Sequence, residues 1–271
     1  MTVGRHTAWT ADDDPATQKI ARVEAAPAHA PAAAVAPGGA VPDAAPHLSL
    51  VRGNSILRVA LGIAAVLVIA HFTAMAIGYG TPGFEIPQAI RLGGELNIAT
   101  WFSSALHLVN AGLLALIAAN SVRKERLRWT VLALAVLVVS MDEVSANHEQ
   151  VGYILHNVLG TSGFLTYAWI IPAMVLVAAV ALWCGPMVLR RPGGRLIALA
   201  ALVFVGGAVG MEAVEGWWFD ATGQTDDLVY LVLGGLEEAM EMLGIIIATA
   251  GLLRMAGGSG LRLAGTFTDH S

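Results

Sequence analysis

Between residues 55 and 253 the chain alternates long apolar runs with short polar joints. Six runs stand out, at roughly 55–78, 97–119, 129–149, 164–189, 195–218 and 228–253. Each is close to the ~20 residues with which an α-helix, rising about 1.5 Å per residue, crosses the hydrocarbon of a bilayer. The pattern predicts an all-α fold: a polytopic membrane protein built as a six-helix transmembrane bundle over 51–256. The third run ends least cleanly, because Asp142, Glu143, His148 and Glu149 crowd its last two turns. Residues 1–50 are rich in Ala and Pro, as in Ala25-Ala26-Pro27-Ala28-His29-Ala30-Pro31, and hold few large apolar residues. They are expected to form a disordered tail. They contain no apolar core for a cleavable signal peptide, so the first helix is expected to act as an uncleaved anchor. Residues 257–271 are expected to form a short second tail.

Composition agrees with this pattern. Of 271 residues 56% are hydrophobic and 13% charged, a profile of membrane proteins rather than soluble domains. The net charge of −5 gives no footprint for nucleic-acid binding. Cys184 is the only cysteine, which excludes an intrachain disulfide and a cysteine-based zinc site. Charge placement sets the orientation. Arg52 and Arg58 flank the first run; Arg123, Lys124, Arg126 and Arg128 fill the second joint; Arg190, Arg191 and Arg195 fill the fourth; Arg254 and Arg262 follow the last. The alternate joints hold Arg91 as their one basic residue, and Asp220, Asp226 and Asp227 make the fifth acidic. The positive-inside rule then predicts a multi-pass protein of the inner (plasma) membrane with both termini cytoplasmic. Trp101, Tyr167, Trp169, Trp217, Trp218 and Tyr230 gather at the opposite ends, where an aromatic belt is expected.

The chemistry lies in the buried carboxylates. Glu237, Glu238 and Glu241 fall within five residues of the sixth run, which has no Lys or Arg before Arg254. An ionised carboxylate in hydrocarbon loses its hydration, so metal, protons or basic groups on neighbouring helices must neutralise it. On the predicted topology these three lie roughly 14–20 Å inside the outer end of their helix. Glu212 and Glu215, Asp142 to Glu149, His71 and His107 fall in the same outer half. Asp142, Ser145 and Glu149 are expected on one face of the third helix, because seven residues bring a helix nearly back to its starting direction; Glu143 and His148 point elsewhere, so the helix is expected either to serve two subsites or to fray near His148. Gly206, Gly207 and Gly210, with Gly234 and Gly235, would admit close helix approach.

Carboxylates with a few histidines on facing helices hold di-iron and di-manganese centres. The candidate metal ligands are therefore Asp142, Glu143, His148, Glu149, Glu212, Glu215, Glu237, Glu238 and Glu241, for iron, manganese or zinc in a mononuclear or dinuclear site. His71 and His107 are candidates for a haem between the first two helices, ranked below the non-haem metal, or for joining a non-haem site. A lone histidine on an apolar helix more often hydrogen-bonds within the bundle. The set is similar in ingredients to carboxylate-bridged di-metal bundles, although their Glu-x-x-His signature is absent from the predicted helices. The pattern Asp142-Glu143 … His148-Glu149, Glu212, then Glu237-Glu238-x-x-Glu241-Met242-Leu243-Gly244 resembles a group of uncharacterised bacterial polytopic membrane proteins. That resemblance covers about half the chain and implies no activity.

Three function classes follow. The first is a metal-dependent oxidoreductase or hydrolase acting on a lipophilic substrate that arrives from the lipid or the outer surface. The second is a proton- or cation-linked transporter; the inner halves of the runs lack the polar groups such a path needs. The third is a structural or assembly subunit. The partners expected are membrane lipid and a lipophilic substrate or a cation, with no nucleic acid; the sequence does not define an oligomeric state.

Overall fold

Residues 50–258 are described in a computed structural model. The expected tails, 1–50 and 257–271, lie outside the described residues except for Leu50 and residues 257–258, which are helical. All regular structure among the described residues is helical. In order these are α1 (Leu50–Gly78), α2 (Ile98–Ala119), α3 (Arg123–Ser145), α4 (Asn147–Leu159), α5 (Ile170–Leu189), α6 (Gly194–Val205), α7 (Glu212–Thr222) and α8 (Leu228–Gly258). A π-helical segment, Gly206–Met211, joins α6 to α7. Four segments are long and apolar enough to cross a membrane: Ser55–Gly78, Ile98–Ala119, Ile170–Leu189 and the combined Gly194–Thr222. The bent pair α3–α4 makes a fifth if taken as one span. α8, with 31 residues, is as long, but Glu237, Glu238 and Glu241 sit in its middle.

α8 is the central element, packing on α1, α2, α6, α7 and the π segment. One apolar cluster gathers Ala64 and Leu67 of α1, Phe102 and Leu106 of α2, and Met242, Ile245 and Ile246 of α8. A second joins Ile117 of α2, Trp129 of α3, Met187 of α5, and Leu252 and Met255 of α8. Small residues allow the close approaches. A Cβ placed on Gly244 would come within 2.8 Å of the Phe204 backbone nitrogen, and one on Gly207 within 2.9 Å of the Glu237 carbonyl. Four of the five glycines expected to admit close approach do so, Gly206 against Met240, Gly207 against Glu237, Gly234 against Gly93 and Gly235 against His71, while Gly210 meets nothing closer than 4.0 Å.

The third run is not the single helix expected over 129–149. α3 stops at Ser145, Ala146 takes a left-handed conformation (φ 46°, ψ 39°), and α4 leaves at 82°. The local cause is polar competition with the helical backbone. Asp142 Oδ1 accepts the His148 backbone N–H at 3.2 Å, satisfying one of the donors at the start of α4. Ser145 Oγ turns back to the Met141 carbonyl at 2.9 Å and accepts from the Asn147 side chain. Asp142 and Glu149 therefore share no helix face.

The segment between α1 and α2 is drawn into the bundle. Leu92, 2% exposed, donates its backbone N–H to His71 Nδ1 at 3.0 Å. Asn97 caps α2, exchanging bonds with Thr100 at 2.9 and 3.1 Å, and its amide holds the Arg91 carbonyl at 2.8 Å and the Gly94 carbonyl. Gly93, at φ 72°, passes so near Gly234 of α8 that a Cβ would sit 2.9 Å from its Cα. Only glycine combines that dihedral with that approach.

Candidate metal centre

These local features converge on one cavity of about 920 Å³. Its polar wall carries nine carboxylates: Asp142 and Glu143 from α3, Glu149 from α4, Glu212 and Glu215 from α7, Glu237, Glu238 and Glu241 from α8, and Glu95 from the α1–α2 segment. His148 and His156 of α4 join them, and no Lys or Arg lines the cavity. All nine candidate ligands read from the sequence are therefore brought together. The break after Ser145 makes this possible, since it turns His148 and Glu149 over the space that Asp142 and Glu143 reach from α3.

Two groups within the wall are tight enough to hold a cation. Glu95, His148 and Glu149 each offer a ligand atom within 4.8 Å of the others, and so do Glu143, Glu238 and Glu241. Ligands at about 2.0–2.2 Å on opposite sides of a metal stand a little over 4 Å apart, so small rotamer changes close either set. The first group lies at the mouth, where Glu149 is exposed. The second is deeper, with Glu238 only 8% exposed and its Oε2 buried without a hydrogen-bond partner. Glu215, 5% exposed, likewise leaves Oε1 unpartnered.

His148 is held on two sides. Its Nδ1 stands 2.7 Å from Asp142 Oδ2, which leaves Nε2 as the nitrogen open to a ligand. Its ring packs on Trp169, with centroids 4.9 Å apart. Trp169 donates its indole N–H to Glu212 Oε1 at 2.7 Å, and Gly152 of α4 lets that indole pack closely. The Tyr167 and Tyr230 hydroxyls meet at 2.8 Å on another wall. Tyr167, Trp169 and Tyr230 thus line the cavity instead of forming the expected belt. Trp101 (69% exposed) and Trp217 (44% exposed) do face outward.

Glu95 is the candidate ligand that the sequence reading missed. Half-buried, it leaves its Oε2 without a partner. Burial first, and then the nearby Glu149 and Asp142, push its carboxyl above the usual range, with His148 opposing them. A single acid in an outer loop reads as solvated; the available signal was its setting, Gly93-Gly94-Glu95-Leu96-Asn97, between a tight turn and a helix cap.

His71 and His107 do not line the cavity. His71 is fully buried and commits Nδ1 to Leu92 and Nε2 to the Leu231 carbonyl at 3.4 Å, leaving no nitrogen for an axial haem bond. It splints the α1–α2 segment against α8. His107 packs edge-on against Phe204, its Nε2 buried and unpartnered.

The family model described as a domain of unknown function (DUF8692) matches residues 60–256. No curated protein and no solved structure matches the chain. The match covers most of the described helices, and the chain belongs to this family.

Proposed function

We propose that this member of the DUF8692 family is a six-span protein of the plasma membrane that binds a divalent metal in the carboxylate–histidine cavity and uses it on a lipophilic substrate. The observation that carries the reading is the cavity wall: nine carboxylates and His148, no Lys or Arg, and a buried Glu238 oxygen with nothing to bond. Unpartnered carboxylate in a low-dielectric interior is costly, and a bound cation reverses that cost.

α8 serves as the sixth span, its glutamates neutralised by the metal. The arginine-rich joints lie on the cytoplasmic side, so the cavity opens to the opposite face. α4, leaving α3 at 82°, lies along that interface with Tyr153, Ile154 and Val158 exposed to it. Imidazole from His148 favours iron, manganese or zinc over magnesium or calcium. A metal of this class supplies Lewis acidity and an activated water or oxygen ligand. The protein's own contribution is positioning and exclusion. Asp142 fixes the His148 tautomer, Trp169 orients Glu212, and Val139, Leu176, Val177, Phe204 and Val209 give the cavity an apolar wall for a lipophilic substrate.

Elemental analysis and an optical spectrum of detergent-purified protein test the reading. At least one iron, manganese or zinc per chain is expected, sharply reduced in Glu241→Gln while that variant still inserts and purifies. No stoichiometric metal, with a Gln variant at least as stable as wild type, would mean a protonated cluster and remove the metal from the proposal. Proton flux in liposomes would then separate transport from a structural role.

A further inference from the structure

We infer that the cavity holds two metal positions of unequal chemistry, a histidine-containing one at the mouth and an all-carboxylate one beneath it, with Glu95 between them. This rests on the metal-binding reading and divides the site that reading treats as one. The two ligand groups share no residue: Glu95, His148 and Glu149 form one, Glu143, Glu238 and Glu241 the other. They differ in depth, since Glu149 is exposed and Glu238 is buried with Oε2 unpartnered. They also differ in donor type. The mouth offers one imidazole, oriented from behind by Asp142 as a metal-ligating histidine requires. The deeper group offers oxygen alone, which suits Mn²⁺ or Mg²⁺ better than a softer cation.

Glu95 links the two. Its ligand atom stands within 4.8 Å of those of His148 and Glu149, and it lines the same cavity as Glu143, Glu238 and Glu241. Its Oε2 is buried without a partner, so one carboxylate oxygen remains free when the other serves the mouth. Charge argues the same way. A single divalent ion offsets two of the nine lining carboxylates and leaves seven to protons, whereas a second leaves five. The segment carrying Glu95 is fixed at both ends, by His71 on Leu92 and by the Asn97 cap, so its reach into the cavity is built into the fold.

The test uses full-length protein in detergent, stripped by chelator and titrated with Mn²⁺ while free Mn²⁺ is followed by electron paramagnetic resonance. Wild type should bind two equivalents, of which Zn²⁺ displaces the mouth ion first. His148→Gln, or Glu149→Gln at the exposed edge if the first does not purify as a single species, should keep one equivalent that resists Zn²⁺. Glu238→Gln should keep one that Zn²⁺ removes, and Glu95→Gln should weaken both at least tenfold. One equivalent in wild type, abolished by mouth and deep variants alike, overturns the division and leaves the metal-binding proposal standing. Two equivalents that vanish together in either variant also overturn it. No binding of Mn²⁺, Zn²⁺ or, under anaerobic conditions, Fe²⁺ to wild type sinks both.

Discussion

Near its C-terminal end α8 buries Thr249, whose hydroxyl lies 2.9 Å from both Asn110 Oδ1 and the Ile245 carbonyl, while Asn110 Nδ2 donates to that same carbonyl at 3.2 Å. Earlier on the same helix Glu238 is buried beside other carboxylates and its Oε2 meets no donor. One half of α8 satisfies its internal polar groups with protein and surrounds them with Ile246, Leu252 and Met255. The other half leaves stronger acceptors open to a cavity. A buried polar group that is hydrogen-bonded stabilises modestly, whereas one left open is costly unless something else binds it. The contrast separates a half whose buried polar groups are met by protein from a half whose acceptors stand open. The contrast is one of kind, since Ser103 Oγ, His107 Nε2 and Trp129 Nε1 are also buried without partners away from the cavity. Each of those is a neutral group, far cheaper to strand than a carboxylate.

The largest effect is expected in the packed half. Trp129 is fully buried against the second apolar cluster. Trp129→Ala should lower stability by about 3 kcal/mol or more through lost contacts and the cavity left behind. Trp129→Phe should cost well under half of that, because the indole N–H has no partner to lose. Thermal unfolding in detergent reads both. Equal losses would mean that the indole nitrogen is bonded, and that the packed half is held by polar contacts after all.

A pair of substitutions of opposite sign sharpens the comparison next. In chelated protein, Thr249→Val should cost about 1 kcal/mol, because it strands Asn110 Oδ1. Glu238→Gln should be neutral or stabilising under the same conditions, since it relieves an open carboxylate among like charges. Metal restores the order: loading at a hundredfold over its dissociation constant should raise wild-type stability by about 2.7 kcal/mol and raise the Gln variant by less. A Glu238→Gln variant that unfolds as readily as Thr249→Val, with or without metal, would show that both halves are structural.

How far these features were legible in the sequence depends on whether their cause was local. Apolar length placed α2 within one residue and one end each of α1, α5 and α8 correctly, with the other ends up to about a turn and a half away, because burial or lipid exposure over some twenty positions dominates any single residue. Every cavity carboxylate of the third, fifth and sixth runs could be named in advance, since charge inside an apolar run stands out against its background. The break at Ala146 was legible only as possible fraying near His148, because alanine is the best helix former and gives no warning of a left-handed turn. Its cause, Asp142 reaching forward to the His148 N–H, becomes visible only in three dimensions. Glu95 escaped for a related reason: what directs it inward is His71 holding Leu92 from another helix, a contact no local spacing encodes. Tyr167, Trp169 and Tyr230 were read as belt because an aromatic near a helix end looks the same whether it meets lipid or a cavity.

The smallest expected effect falls at the junction that joins the two regions of the site. If α3 continued unbroken through residue 146, Ala146→Gly would place glycine inside a helix and cost about 1 kcal/mol. At φ 46° and ψ 39° the balance reverses. An L-residue there pays roughly 1–2 kcal/mol of steric strain that glycine escapes, partly offset by glycine's greater freedom in the unfolded chain. Ala146→Gly should therefore raise stability by about 0.5 kcal/mol, visible as a small upward shift in the unfolding temperature. Because the bend carries His148 and Glu149 over the deeper carboxylates, metal binding should be retained or slightly tightened. A loss near 1 kcal/mol would instead restore a straight third helix. It would move His148 and Glu149 away from Glu95 and separate the mouth of the site from its floor.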